Sequence, residues 1–418
     1  MKNLTMIDFL KRNKVEFFIG FTLLILLLIE SRGRGDFQIF LDASRDLFEG
    51  KNIYKIQYNE WYYYYYDALF ALIISPLQLI PLFWAKFIWL LFNLLFTFRI
   101  WKIILSYLPI DILTIKQKRI HTIISFIIIL MLWHKNIHLS QMTIFILYLC
   151  LEGLNLIYNK KLFLGSFLIG MGISIKILPL VLIPYFLYRG NFKVTLYILL
   201  SIILALGIPV IFIGYDYSLF LLQERWSSIN PLNQEHIIDV SERSFHSLTT
   251  LLSILLVDGV GNQYSLELKR NFANVDIHTL KIIINVVRSI FIIGTLYFIH
   301  SLPFKKAQNK LQIFYELSYI FLIIPLIFPH QQHYAFFFVF PAISYLVFYF
   351  IAAFYSKEPK YSRFQRYSLI VIFIIIYFLL NSNQILGTFN NIYDHFKTLT
   401  FGVILLIPLL IIAKPNKI

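Results

Sequence analysis

The chain has 418 residues, 59% hydrophobic, 18% aromatic and 14% charged, with a formal charge of +15. Soluble domains average about 45–50% apolar and about 25% charged residues, so composition excludes a water-soluble globular fold and predicts an all-α, polytopic transmembrane protein. The positive charge is no nucleic-acid footprint: intervals 31–67 and 215–278 hold 14 of the 22 acids and 9 of the 37 Lys and Arg residues, and the other basic residues gather in short loops. Short basic loops mark the cytoplasmic side, which puts the two long acidic intervals outside.

In chain order, the apolar run 15–30 follows Lys2, Lys11, Arg12 and Lys14 and lacks a small-residue cleavage pattern, so it reads as an uncleaved first span. The interval 31–67 begins SRGRGDFQIFLDASRDLFEG. Its Phe37, Phe40, Leu41, Ser44, Leu47 and Phe48 recur at the spacing of one helix face, against Asp42, Arg45, Asp46 and Glu49. Gly50 closes this amphipathic helix. Asp36 projects with the apolar stripe, at about 100° per residue, and two readings stand: a helix N-cap or a catalytic carboxylate.

Further apolar segments fall at 68–107, 120–134, 142–158, 162–175, 177–188, 194–214, 279–300, 311–328, 334–355, 367–380 and 398–413, about twelve in all with the first. Segment 68–107, interrupted by Pro76 and Pro81, reads as one net crossing with a broken or re-entrant part. That choice leaves every short basic loop on one side. Residues 31–67, 134–141, the vicinity of Lys176, 215–278, 329–333 and 381–397 then share the opposite surface. No internal repeat, phosphate loop or second domain interrupts the pattern, so residues 1–418 are read as one membrane domain. The single Cys150 can form no intramolecular disulfide.

Several polar residues suit chemistry. Tyr62 to Tyr66 form either an interfacial aromatic belt or a platform whose rings stack on a sugar. Lys176, in GISIKILPLVLIP, either snorkels to an interface or pairs with a lipid phosphate. His330 and His333, in FPHQQHY, are spaced to share a metal, but no third ligand is local, so a phosphate contact or a proton carrier is preferred and no metal is assigned. Arg225, Arg243 and His246 are further candidate anion contacts.

Asp36, Phe37, Phe40, Ala43, Leu47, Gly50 and Tyr54 spell D-F-x-x-F-x-x-A-x-x-x-L-x-x-G-x-x-x-Y, followed by a polar turn with Gln141, Gly170–Lys176–Pro179 and a P-H-x-x-H turn. In order and spacing these resemble glycosyltransferase family 87, polyprenol-phosphate-mannose-dependent enzymes of GT-C fold. The resemblance departs where a Tyr-x-Tyr-Pro-Pro element is replaced by tyrosines ending in Asp67, and where a Gly-Gln-x-Asn turn reads Ser140-Gln141-Met142-Thr143.

The resemblance implies transfer of a hexose such as mannose from a polyprenyl-phosphate carrier to a lipid or glycan acceptor. The reaction is expected on the external face of a bacterial inner membrane, without a cofactor. It implies Asp36 as general base. Lys176, Arg243, His330 and His333 are expected at the donor phosphate, and Tyr54, Tyr64, Tyr66 and Gln141 at sugar or acceptor. The expected partners are therefore the donor, the acceptor and membrane lipids, with no nucleic acid. A flippase for lipid-linked sugars and a polysaccharide polymerase or ligase are the alternatives.

Overall fold

The computed structural model describes residues 14–33, 35–59, 62–230, 233, 236, 238, 245–261, 266–356, 360–385 and 387–415. It is 77% helical, and the described residues contain no strand, only the isolated bridges Tyr58–Tyr62 and Phe245–Gln332. The helices in order are α1 (Lys14–Glu30), α2 (Phe37–Phe48), α3 (Ala68–Ile74), α4 (Leu82–Tyr107), α5 (Ile115–His138), α6 (Thr143–Tyr158), α7 (Leu162–Ile175), α8 (Leu182–Tyr188) and α9 (Phe192–Ile213). After these come α10 (Tyr215–Ile229), α11 (Leu248–Leu256), α12 (Ile277–Ile299), α13 (Lys310–Ile327), α14 (Phe340–Phe354), α15 (Arg363–Ile385), α16 (Asn390–His395) and α17 (Thr398–Ile412).

Seven helical stretches among the described residues are long and apolar enough to cross a bilayer: α4, α5, α9, α12, α13, His333–Phe354 and Arg363–Asn381. Six shorter apolar ones accompany them. The expected all-α polytopic architecture is thus present, and the segment read as broken is broken: α3 runs into a short 3-10 turn at Ser75–Leu79, then α4 starts after Pro81. Proline cannot donate the backbone N–H that a continuous helix needs there.

Burial sorts the layers. The apolar stretch of α13 is 78% buried and that of His333–Phe354 is 94% buried, whereas those of α9 and α12 are 22% and 17% buried. The first pair forms the centre and the second turns most of its surface outward to apolar surroundings. Glycines set the closest helix crossing: a methyl added at Gly153 would stand 2.6 Å from the carbonyl oxygen of Gly165, and one at Gly170 would stand 2.5 Å from Cβ of Ser201. Bilayer lipid is as apolar as leucine, so such close backbone contact is what holds α6, α7 and α9 together. It also fixes the end of α7, where Lys176 follows.

The polar intervals meet at one end of the bundle. Asp36 N–H donates to the Leu139 carbonyl (3.0 Å), Asn52 donates to Glu224 (3.0 Å), and His246 N–H donates to the Gln331 carbonyl (2.8 Å). At a separate cluster, Arg189 at the end of α8 forms a buried ion pair with Glu316 of α13. Glu316 also accepts from Tyr185 (3.0 Å), and Arg189 reaches Ser301 Oγ (2.8 Å) and the Lys305 carbonyl (2.9 Å). Arg189, from one of the short basic loops, is 3% exposed and joins three elements.

Arg189→Ala strands the Glu316 carboxylate inside the protein and is expected to cost about 3–5 kcal/mol. The readout is a large fall in the thermal midpoint in detergent, partly recovered in Arg189→Ala/Glu316→Leu because the double variant buries no unpaired charge.

Candidate active site

Asp36 directly precedes α2, but its side chain makes no cap bond to that helix. The carboxylate turns instead to α5–α6, where Gln141 Nε2 donates to Asp36 Oδ2, and Tyr66 Oη donates to Gln141 Oε1 (3.1 Å). The side-chain cap therefore gives way to a carboxylate held by Gln141, which Tyr66 holds in turn, both distant in sequence. Among the described residues its Oδ1 accepts no hydrogen bond, which leaves that oxygen for a substrate hydroxyl.

The backbone ahead of Asp36 is equally constrained. Lys86 Nζ donates to the Gly33 carbonyl (2.8 Å), and a Cβ on Gly35 would lie 3.2 Å from both Lys86 Nζ and the Leu139 carbonyl. A side chain at this position would crowd α4 and the α5–α6 turn, so glycine eases the close approach of the backbone. Beside it, Glu30 contacts His138 (2.8 Å) and His134 (3.4 Å) of α5, tying the end of α1 to the same turn.

Burial pushes Asp36 up from 3.8 to about 6; the Gln141 hydrogen bond and the nearby Lys86 charge pull in the opposite direction and only partly offset it. Desolvation disfavours the charged form. The result is a carboxylate that titrates close to neutrality, as a general base requires.

Lys176 comes to the same place. Its Nζ lies 5.6 Å from the ring centroids of both Tyr66 and Tyr334, and among the described residues its ammonium makes no hydrogen bond or ion pair. The snorkelling alternative is not what the structure shows, because the cation sits between two aromatic faces. A cation with aromatic walls and no carboxylate is suited to an anionic ligand. Its position is set by a buried pair that sequence reasoning missed. Arg225 of α10 binds Asp67, and its Nη2 donates to the carbonyls of Ser174 (2.7 Å) and Ile175 (3.4 Å) just before Lys176. Arg225 is thereby an anchor inside the protein and not an open anion contact.

The tyrosine run alternates. Tyr62 and Tyr65 are exposed, whereas Tyr64 and Tyr66 are 1% and 8% exposed. Tyr64 Oη donates to the Asp67 carbonyl (2.9 Å), and Tyr54 packs on the Tyr64 ring at 6.0 Å. Tyr54 and Tyr64 are thus buried beneath the Asp67–Arg225 pair, and Tyr66 is the member of the run that touches the carboxylate network.

His330 and His333 do not share a site. His330, in the left-handed backbone region at φ 55°, lies 2.5 Å from His236 and packs on Phe245. His333 Nε2 stands 3.3 Å from Asp394 Oδ1, with His246 Nε2 3.7 Å from the same oxygen. His246, a candidate anion contact by sequence, and Asp394, which carries no distinguishing local signal, come from separate intervals of the chain. Arg243 lies outside the described residues.

A model of glycosyltransferase family 87 matches residues 64–300. The chain belongs to glycosyltransferase family 87. No curated protein and no solved structure matches it. The match takes in Tyr66, Gln141 and Lys176; Asp36 and the P-H-x-x-H turn lie beyond its ends, and for those the geometry above is the argument. A family 87 protein is a glycosyltransferase, so a sugar donor and an acceptor are its substrates.

Asp36→Asn tests the strain on the carboxylate without an activity assay. Below pH 3.8 the acid is neutral folded or unfolded and its desolvation costs nothing; above about 6 it is charged in both states and the cost is complete. Wild-type stability therefore falls relative to Asp36→Asn as pH rises through that window. The variant is expected to be about 1–3 kcal/mol more stable at pH 7, and equal near pH 3.8, in thermal unfolding followed by intrinsic fluorescence.

Proposed function

We propose that this family 87 protein transfers a hexose, such as mannose, from a polyprenyl-phosphate-linked donor to a hydroxyl of a lipid or glycan acceptor. The observation that carries the reading is the pairing in one site of a raised-pKa carboxylate with an oxygen to spare and a lysine with no acidic partner. Asp36 Oδ1 takes the proton of the acceptor hydroxyl. The acceptor oxygen forms its bond to the anomeric carbon as the bond from that carbon to the phosphate oxygen breaks, with inversion, and polyprenyl phosphate leaves. Lys176 holds the phosphate, whose negative charge grows in the transition state.

Gln141 and Tyr66 orient the carboxylate, and the Tyr66 and Tyr334 rings offer flat apolar faces beside the ammonium for the sugar. Because the donor arrives in the membrane, the site is placed at the outer interface of an inner membrane, the side to which the acidic intervals point. His330 and His333, drawn to His236 and Asp394, take no part in this scheme, and neither do the buried Tyr54 and Tyr64. Membership in a glycosyltransferase family favours transfer over flipping.

The test uses purified protein with polyprenyl-phosphate mannose or glucose and a membrane-lipid extract, followed by mass spectrometry. Wild type is expected to give a hexose-shifted product and polyprenyl phosphate, with a rate that falls about tenfold per pH unit below about 6 as Asp36 protonates. Asp36→Asn is expected to lose at least about 10³-fold, and Lys176→Met about 10²–10³-fold. Activity retained in Asp36→Asn, or a pH profile flat from 5 to 7, sinks the assignment.

A further inference from the structure

We propose that His246, His333 and Asp394 bind one divalent transition-metal ion of the zinc class, at a site separate from the Asp36–Gln141–Lys176 constellation. The three residues come from the interval before α11, the turn before His333–Phe354, and α16, and all three are buried. One ligand atom from each lies within 4.8 Å of the others.

The distances fit coordination of one shared ion. At zinc–ligand bonds of about 2.0–2.1 Å, two ligand atoms of a tetrahedron stand about 3.3–3.4 Å apart. The Nε2 atoms of His333 and His246 lie 3.3 and 3.7 Å from Asp394 Oδ1. His246 adds an independent argument: its side chain is 0% exposed, and among the described residues neither ring nitrogen has a hydrogen-bond partner within 3.5 Å. Two orphaned nitrogens in the interior are costly, and a metal on Nε2 would satisfy one of them.

The donor set decides the class of ion. Two imidazoles and one carboxylate suit zinc and its transition-metal neighbours, whereas magnesium and calcium take oxygen ligands. The ammonium groups of Lys135 and Lys397 act on these imidazoles and oppose a cation. A hard ion held by one carboxylate would not overcome that; a zinc-class ion with two strong nitrogen ligands would. The backbone is already drawn in around the cluster. His246 N–H donates to Gln331, Thr400 Oγ1 donates to the His246 carbonyl (2.6 Å), and Lys397, at φ 53°, turns the chain directly after α16. A bound ion would staple the 215–278 interval to the bundle beside Tyr334, the residue whose ring walls Lys176.

The experiment uses the full chain with a histidine-free affinity tag, stripped with a chelator and dialysed against zinc or cobalt. One ion per chain is expected by elemental mass spectrometry, cobalt is expected to give the visible absorption of a tetrahedral site, and chelation is expected to lower the thermal midpoint, with recovery on adding zinc. Asp394→Asn and His246→Ala are expected to weaken binding more than about 100-fold, since even outer-shell partners are worth about 10–100-fold. His246→Cys is expected to keep one cobalt and add a sulfur-to-cobalt charge-transfer band. Wild type that takes up no zinc or cobalt above background overturns the site, as does a Cys variant that binds cobalt without the new band. Because the readout is metal content, failure here leaves the transferase reading untouched.

Discussion

The buried pair of Asp67 and Arg225 is the contact on which the candidate site depends. Asp67 caps α3 through the Leu69 N–H (2.8 Å) and at the same time binds the guanidinium delivered by α10. Arg225 Nη2 donates to the last carbonyls of α7, the orphan acceptors of a helix end. One ion pair thus joins the 31–67 interval, the 215–278 interval and the break before Lys176. Neither partner can be removed alone without leaving a charge in a dry interior.

Within that frame, the carboxylate and the lysine share a site without neutralising one another. Tyr66 stands between them: its hydroxyl serves Gln141 and through it Asp36, while its ring faces Lys176. A direct ion pair would lower the basicity of Asp36 and occupy the cation meant for an anion. The interposed tyrosine and amide keep the carboxylate partly desolvated and the ammonium available, the division of labour that the proposed transfer needs.

Part of the backbone strain lies at the same end, while Lys160, His300 and Phe304 carry positive φ elsewhere. Ser140, His330 and Lys397 adopt φ of 55°, 55° and 53°, a region that residues with side chains seldom occupy. Each lies within a few residues of a polar side chain discussed above: Gln141, His333 and Asp394. Strain of this kind costs on the order of 1–3 kcal/mol per residue and persists where surrounding contacts over-determine it. At Ser140 those contacts include the Trp89 indole, which donates to its carbonyl (2.9 Å).

Sequence by itself determined what local chemistry and periodicity encode. Apolar runs specify membrane helices because hydrocarbon forces every backbone group to pair within its own segment, so the all-α polytopic class and the broken stretch at Pro76–Pro81 were legible. The amphipathic helix Phe37–Phe48 and its terminator Gly50, at φ 74°, were legible for the same reason, although Phe48 is exposed. Asp36 stood out by projecting with an apolar helix stripe, Lys176 by interrupting an apolar run and Gln141 through the family resemblance, and the structure brings them together around Tyr66. Tertiary structure alone decided which partner each polar group has. Asp67–Arg225 are separated by 158 positions and Arg189–Glu316 by 127, and a charge in a loop looks the same whether it ends in water or in a buried pair. His330 and His333 are three residues apart yet face different partners, since the turn between them points their rings to separate elements. The reason is physical: hydrophobic periodicity is a property of a segment, whereas polar satisfaction is a property of pairs that meet only after the helices have packed.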